Sequence, residues 1–373
     1  MNYKYDFVIV GAGLAGSTLA YLLHNKGYKV KVIDKREHIA GNCYTENKDN
    51  INIHVYGPHI FHTNNKEVWD FVNKFADFNN FINEPVALAA DNRVYNMPFN
   101  MNTFSRIFNI VHPDEAKFRI DKEIEEYRKE HSTIENLEDQ AINMVGTTIY
   151  ELLIKGYTEK QWGKSCTELS PEIIKRLPLR FTYNNNYFND KYQGIPEDGY
   201  TNMIRRMLQN IEVVLNYDYK EHEDEILDEA KYIIYTGRID EFFDYIHGKL
   251  EYRSLNFVTE SLDIDNFQGN AVVNYTTKKV PYTRVVEHKH FNNDKSNVTY
   301  ITYEFPSTSG DPFYPLSDKA NIDLYNKYKE ASDEYDKVIF AGRLGKYKYF
   351  DMDDVIEDCF KIFNDILNKK EEL

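Results

Sequence analysis

Short apolar runs alternate with amphipathic stretches along the chain. Residues 7–10 (FVIV) are continuously apolar and break at Gly11, which reads as a buried strand. Leu19, Leu22 and Leu23 follow at helical spacing, with Gly27 as the stop. A second apolar-rich strand, 29–33, ends on Asp34. Farther on, 66–76 predicts a helix with Val68, Trp69, Val72 and Phe75 on one face. Residues 84–97 read as a hairpin turning at Asp91 and Asn92. From Pro98 to about Gly163 the period is helical. Residues 114–131 carry Phe118, Ile120, Ile124 and Tyr127 inward, and 136–145 stop at Gly146. A capping box over 148–151 opens a third helix expected to end near Gly156. Ser170, Pro171 and Glu172 start a short helix that Pro178 ends. Another helix begins at Thr201, and 231–237 is a buried strand. Residues 270–276, 282–291 and 298–305 read as strands. The chain closes with an apolar strand ending on Gly342 and a helix over 352–367.

Composition narrows the class. The 373 residues can hold one large core or two to three smaller ones. Apolar content of 42% and a mean hydropathy of −0.62 fit a soluble globular protein. A net charge of −15 with no Lys/Arg block argues against a nucleic-acid partner. The three cysteines (Cys43, Cys166, Cys359) are widely spaced, which argues against a disulfide framework or zinc site and for a reducing compartment. No apolar run approaches the ~18–20 residues of a membrane span, and the first apolar run is a strand, not a leader. The expected location is cytoplasmic. Thirty tyrosines against two tryptophans suit nucleobase and sugar sites, and equally suit half-buried packing.

The chemistry starts at Gly11, Gly13 and Gly16, a G-x-G-x-x-G between the first strand and its helix. In that context the motif binds a dinucleotide: Gly13 lets backbone approach a pyrophosphate, and the helix N-terminus offers free N–H groups. Asp34, eighteen residues after Gly16, is placed for the ribose hydroxyls. Residues 34–42 (DKREHIAGN) resemble the segment that follows in FAD-binding oxidase-type domains. A strand–glycine–helix at the C-terminus closes such folds around the flavin, so FAD is expected over NAD. His59 and His62 lie three apart in a Gly-Pro turn with no third ligand nearby, so they are expected to line the cofactor pocket, and no metal is expected. Residues 163–179 are expected to be a mobile lid.

The fold class is α/β: a Rossmann-like FAD-binding domain with an inserted helical subdomain and an antiparallel β-sheet subdomain. The expected divisions are 1–80, 200–245 and 326–373 for the FAD-binding domain. The sheet subdomain takes 81–97, 187–199 and 246–325, and the helical subdomain takes 98–186.

Several stretches together resemble one family, the prokaryotic UDP-galactopyranose mutases. They are VGAGLAGSTLA…DKREHIAGNCYT, GPHIFHT, KGYTEKQWG, IKRLPLRFTYNNNYF, VPYTRVVEHKHF and AGRLGKYKYFDMD, in family order over nearly the whole chain. The resemblance implies interconversion of UDP-galactopyranose and UDP-galactofuranose without net redox change, with N5 of reduced FAD attacking the anomeric carbon and UDP leaving. It also implies a homodimer and a role in cell-surface glycan synthesis. Such chemistry explains why no Ser/His/Asp or Cys/His constellation is found.

Carried over by motif, Arg176 is the mobile-loop arginine that closes on the diphosphate, and Arg284 its fixed counterpart from the sheet. Tyr187 is expected to stack on uracil, with Tyr157 and Trp162 along the nucleotide and sugar path. Tyr314, Tyr349 and Asp351 are the remaining substrate contacts. His62, with His59, is expected to face the isoalloxazine. Gly342 and Arg343 are expected by the FAD pyrophosphate, and Lys35, Asn42, Asp351 and Met352 complete the cofactor set. The chain departs from the family at Leu153 and Ile154, where a Phe-Phe pair is usual. Two alternatives stay open: a conventional amine or alcohol flavin oxidase, and a non-catalytic nucleotide-sugar binding module.

Overall fold

The structure is a computed structural model and describes residues 3–174, 179–292, 294–316 and 318–371. The first strand, Tyr5–Val10, lies at the centre of a five-stranded parallel sheet. Across the sheet the order is Val338–Phe340, Ala230–Tyr235, Tyr5–Val10, Val30–Ile33 and Glu212–Val214. Both faces of the sheet are covered, which is why its strands read as unbroken apolar runs. On one face pack the helices Leu14–Asn25, Tyr200–Met207 and Met352–Glu371, with Leu19, Leu23, Met203 and Ile356 fully buried. The other face meets Tyr219, Ile226, Phe242, Phe243 and Tyr328. Gly16 sits where helix meets strand: a Cβ there would lie 1.9 Å from the Gly11 carbonyl oxygen.

A second sheet has seven strands, in the order Tyr314–Pro315, Tyr252–Leu262, Thr299–Ser307, Arg284–Glu287, Val272–Tyr275, Val86–Leu88 and Val94–Asn96. Its pairs are antiparallel except Val272–Tyr275 with Val86–Leu88, which run parallel, so the expected antiparallel sheet carries one parallel ladder. The helices Met101–Phe108, Pro113–Arg128, Leu137–Val145 and Lys155–Trp162 share a separate core built on Phe104, Ile120, Leu137, Tyr150 and Leu153.

Several sequence expectations need correction. The third helix does not end at Gly156. One π-helical turn, Tyr150–Ile154, leads into Lys155–Trp162, and Gly163 at φ +64° is the stop. Gly156 is glycine because the sheet comes close: a Cβ there would lie 2.1 Å from the Thr276 carbonyl oxygen. No capping box forms over 148–151. Glu123, from another helix, takes the Thr148 amide and hydroxyl, and Glu151 pairs with Lys155. Phe118 is 67% exposed, not inward. The strand expected over 282–291 is Arg284–Glu287, followed by a 3₁₀ turn, His288–Phe291. Some elements had no clear signal, among them the hairpin Thr45–Lys48 with Ile51–His54, the strands Glu212–Val214 and Tyr252–Leu262, and the helices Glu223–Glu229 and Lys319–Ser332.

Candidate active site

Two cavities meet between the sheets. The first, about 240 Å³, follows the start of the first helix and is lined by Gly11, Gly13, Leu14, Asp34, Lys35 and Gly342, among others. No side chain caps that helix, whose N-cap is Gly13, so its first-turn N–H groups remain for a ligand. A Cβ on Gly13 would meet nothing nearer than the Gly41 Cα at 3.7 Å, so packing within the protein does not demand glycine there. Asp34 accepts from the Ala12 amide at 2.7 Å and the Arg36 amide at 2.9 Å, which fixes the carboxylate at the strand end. A helix start, a glycine backbone and an anchored carboxylate fit a dinucleotide.

The second cavity, about 460 Å³, opens between the parallel sheet, the second sheet and the helical block. Asn42, His59, Arg343, Asp351 and Met352 line both cavities and mark their junction. Arg343 donates to the carbonyl oxygens of Phe313 and Phe350, and its guanidinium lies 5.4 and 5.2 Å from the stacked rings of Tyr314 and Tyr349. Asp351 precedes the helix Met352–Glu371 and bonds through its amide to Asp354.

Arg284 enters from the second sheet, directly opposite Glu304 on the next strand. Its Nε and Nη2 lie 2.7 and 2.6 Å from Glu304 Oε2. Burial pushes the Glu304 carboxyl up, although Arg284 opposes the shift, and Glu304 holds Arg284 further toward the charged form. Tyr157 and Trp162 come from the helix Lys155–Trp162, and burial pushes the Tyr157 phenol up to about 12. Leu153 and Ile154, from the π-helical turn, add aliphatic side chains to a wall they share with Met97 and Phe99. His62 stacks on Phe188 with centroids 3.7 Å apart, and its Nδ1 lies 2.7 Å from Asp190 Oδ2.

Against this geometry the comparisons decide the family. Residues 152–349 match the UDP-galactopyranose mutase family, and 9–75 match the NAD(P)-binding Rossmann-like domain. A probable UDP-galactopyranose mutase of Klebsiella pneumoniae is 38% identical over 377 residues, covering 99% of this chain and 96% of that protein. The chain belongs to the UDP-galactopyranose mutase family. A dTDP-fucopyranose mutase of Escherichia coli is also 38% identical, over 98% of this chain and 99% of its own. A crystal structure of reduced UDP-galactopyranose mutase superposes with a TM-score of 0.73 at 14% identity, over 99% of this chain and 94% of that one, which is a likeness of fold. The chain is therefore an isomerase of the mutase type acting on a nucleotide sugar. Among the described residues no helix is long and apolar enough to cross a membrane, and no cluster of three or more His, Cys, Asp or Glu is placed to hold a metal.

In this member of the mutase family, Tyr157, Trp162, Tyr187, Arg284, Tyr314, Tyr349, Asp351, His59 and His62 all line the larger cavity. Gly16 lines neither cavity; its place is the helix–strand contact. Arg176 lies outside the described residues. Sequence reasoning missed Glu304, a lone acid in an alternating strand. It also missed Arg253, which donates to the Trp162 carbonyl oxygen and stacks over that indole at 4.9 Å. Arg180 was missed as well; it grips the carbonyl oxygens of Asn186 and Tyr187 and so sets the Tyr187 loop. The asparagines around it are turn chemistry: Asn185 accepts from Asn100 and Asn102.

Proposed function

We propose that the chain interconverts UDP-galactopyranose and UDP-galactofuranose with FAD, active when reduced, as cofactor. The observation that carries this reading is the junction itself. In a chain of this family, a dinucleotide cleft opens at Arg343 and Asp351 into a tyrosine-lined cavity that holds Arg284. Reduced FAD, when bound, supplies at N5 the nucleophile that takes the anomeric carbon from departing UDP.

The chain's own residues bind, orient and neutralise. Gly11, Gly13 and the helix start hold the pyrophosphate, with Asp34 and Lys35 toward the adenosine end. Gly342 and Arg343 lie by the pyrophosphate, and Asn42, His59, His62, Asp351 and Met352 surround the flavin end. Arg284 stays protonated against the diphosphate, where developing charge on the leaving group most needs it. Arg176, by its motif, is the second arginine for the diphosphate. Tyr187, Tyr157 and Trp162 hold the nucleoside, while Tyr314, Tyr349 and Asp351 meet phosphate and sugar. His62 donates from Nδ1 to Asp190, which orients the ring and leaves Nε2 as the acceptor on the opposite side. The working form is a cytoplasmic homodimer whose product feeds cell-surface glycans.

A second reading has its own support. Thymine exceeds uracil by one methyl, and the aliphatic Leu153 and Ile154 stand in the wall where the family usually has aromatics. Together with the 38% identity to a dTDP-fucopyranose mutase, this favours a dTDP-linked 6-deoxy sugar as substrate. One experiment tests both. The purified protein is incubated with UDP-galactofuranose or dTDP-fucofuranose, with and without dithionite, and the nucleotide sugars are separated. Conversion of the first only under reduction supports the main reading, and preferential conversion of the second replaces it. No conversion of either by a yellow protein that binds UDP would return the weight to a binding module.

A further inference from the structure

Behind the wall shared by the two cavities, three histidines are chained. The His59 amide donates to His54 Nδ1 at 3.1 Å, and the His54 amide donates to His288 Nδ1 at 3.2 Å. His288 Nε2 lies 2.7 Å from Thr302 Oγ1, which in turn lies 2.8 Å from Thr259 Oγ1. Each contact places a hydrogen. A neutral ring nitrogen that accepts from an amide carries none, so His54 and His288 are both Nε2–H tautomers. His59 Nδ1 lies 2.9 Å from the Gly57 carbonyl oxygen. A carbonyl only accepts, so His59 carries its hydrogen on Nδ1 and leaves Nε2 with a bare lone pair.

The surroundings keep all three rings neutral. Burial holds His59 down to about 4, with Arg343 and Arg284 pressing the same way. Burial also holds His288 down to about 3, and His54 falls far below its ordinary value, with His288 and His59 beside it. Tyr200 packs edge-on against both His54 and His59, and Phe291 lies against His54 at 4.7 Å. Glu287, the acid next to His288, is occupied by the amides of Phe267 and Gln268, by Thr299 and by His290. Among the described residues the buried His54 Nε2–H has no partner, so its tautomer is set by the accepting nitrogen.

We propose that His54 and His288 are positioning residues that hold His59 as a neutral acceptor, Nε2 bare, where the two cavities meet. His59 lines both cavities. A neutral imidazole there accepts a hydrogen bond from a flavin ring N–H or a sugar hydroxyl without adding charge beside Arg343. The proposal rests on the preceding reading that the chemistry occurs at this junction.

Selective ¹⁵N-histidine labelling with long-range ¹H–¹⁵N correlation reads the tautomers without any mutation. The expected spectrum shows His59 as Nδ1–H, His54 and His288 as Nε2–H, and no titration of the three between roughly pH 5.5 and 8.5. A different tautomer, or titration near the ordinary histidine value, overturns the proposal. His54→Leu removes the acceptor for the His59 amide, whereas His54→Asn keeps an oxygen in its place. The Leu variant is expected to lose the His59 signature and about tenfold or more in kcat, with UDP affinity within about twofold, and Asn to restore most of both. Equal losses in the two variants, or UDP affinity falling in step with kcat, overturn the positioning role. Where His54→Leu does not fold, the wild-type spectrum and the Asn variant decide. Correct tautomers without mutase turnover would sink the functional reading and leave the positioning of His59; turnover with other tautomers would do the reverse.

Discussion

Arg284 and Glu304 face each other across two antiparallel strands, and one carboxylate oxygen takes both the Nε and the Nη2 of the guanidinium. The other oxygen, Glu304 Oε1, is buried without a partner among the described residues. The acid therefore aims the guanidinium and leaves its further N–H groups to the cavity. Stability and function are tied at this pair.

Arg284→Ala is expected to retain its flavin and lose nearly all turnover, and a variant near the wild-type rate would sink the assigned role. It should also lose on the order of 3 kcal/mol of stability, because a buried carboxylate is left unpaired. That loss depends on pH. Burial already raises the Glu304 carboxyl in the folded state, and removing Arg284 raises it further. A folded-state value above the unfolded one makes stability greatest below the unfolded pKa, and stability is lost as pH rises through the folded pKa. The Tm deficit of Arg284→Ala should therefore be smaller at pH 5 than at pH 8, and Arg284→Met with Glu304→Gln should remove the slope. A flat deficit in the single variant would refute the coupling.

Two glycines of the fingerprint separate fold from ligand. A Cβ on Gly16 would strike the Gly11 carbonyl oxygen at 1.9 Å, whereas one on Gly13 meets protein no nearer than 3.7 Å. Gly16→Ala is expected to lower the Tm of the flavin-free protein. Gly13→Ala should leave that Tm within a degree or two and instead weaken FAD binding at least tenfold, on the order of 1.4 kcal/mol. Flavin titration beside thermal melts checks both, and a Gly13→Ala protein with wild-type flavin affinity would contradict the phosphate-cradle reading.

The nucleotide-binding half was legible because its signals are local: an apolar run, a glycine spacing and a helical stripe lie within 34 residues. The cavity tyrosines and arginines were reachable only through longer motifs. What stayed hidden depends on distant partners. Nothing in TYITYEFPS marks Glu304 until the strands bring it opposite Arg284. The strand Tyr252–Leu262 is largely exposed in its second half, so its alternation is weak. The helix Lys319–Ser332 buries only Asn321 and Tyr328 among its residues and shows no apolar stripe. Gly156 misled as a helix stop because its reason is the neighbouring Thr276 backbone, 120 residues away.

Tryptophan fluorescence has a clean assignment in this chain. Trp162 lines the larger cavity and is gripped by Arg253, whereas Trp69 packs on Tyr192 and Phe78 away from it. UDP is expected to change the emission, and the change should survive in Trp69→Phe and vanish in Trp162→Phe. A signal that follows Trp69 would count against the placement of the nucleotide.

Lys160 fastens the helix that carries Tyr157 and Trp162 onto the second sheet, donating to the carbonyl oxygens of Tyr275 and Tyr282 at 2.7 Å each. Burial lowers its pKa to about 8. The neighbouring charges are engaged elsewhere, Glu159 with Lys278 and Arg284 with Glu304, and burial pushes the Tyr275 phenol up to about 12. A base whose folded pKa lies below its unfolded value is held less well while charged, so its contribution to stability grows as pH rises from about 8 toward the unfolded value of about 10.4. The Tm advantage of wild type over Lys160→Met is therefore expected to be larger at pH 9.5 than at pH 7. Across the same range Lys160→Met should bind UDP more weakly than wild type, because Tyr157 and Trp162 ride on the loosened helix. A Tm difference that does not change with pH would show that the ammonium is not desolvated in this contact, and unchanged UDP affinity would show that the contact does not place the helix.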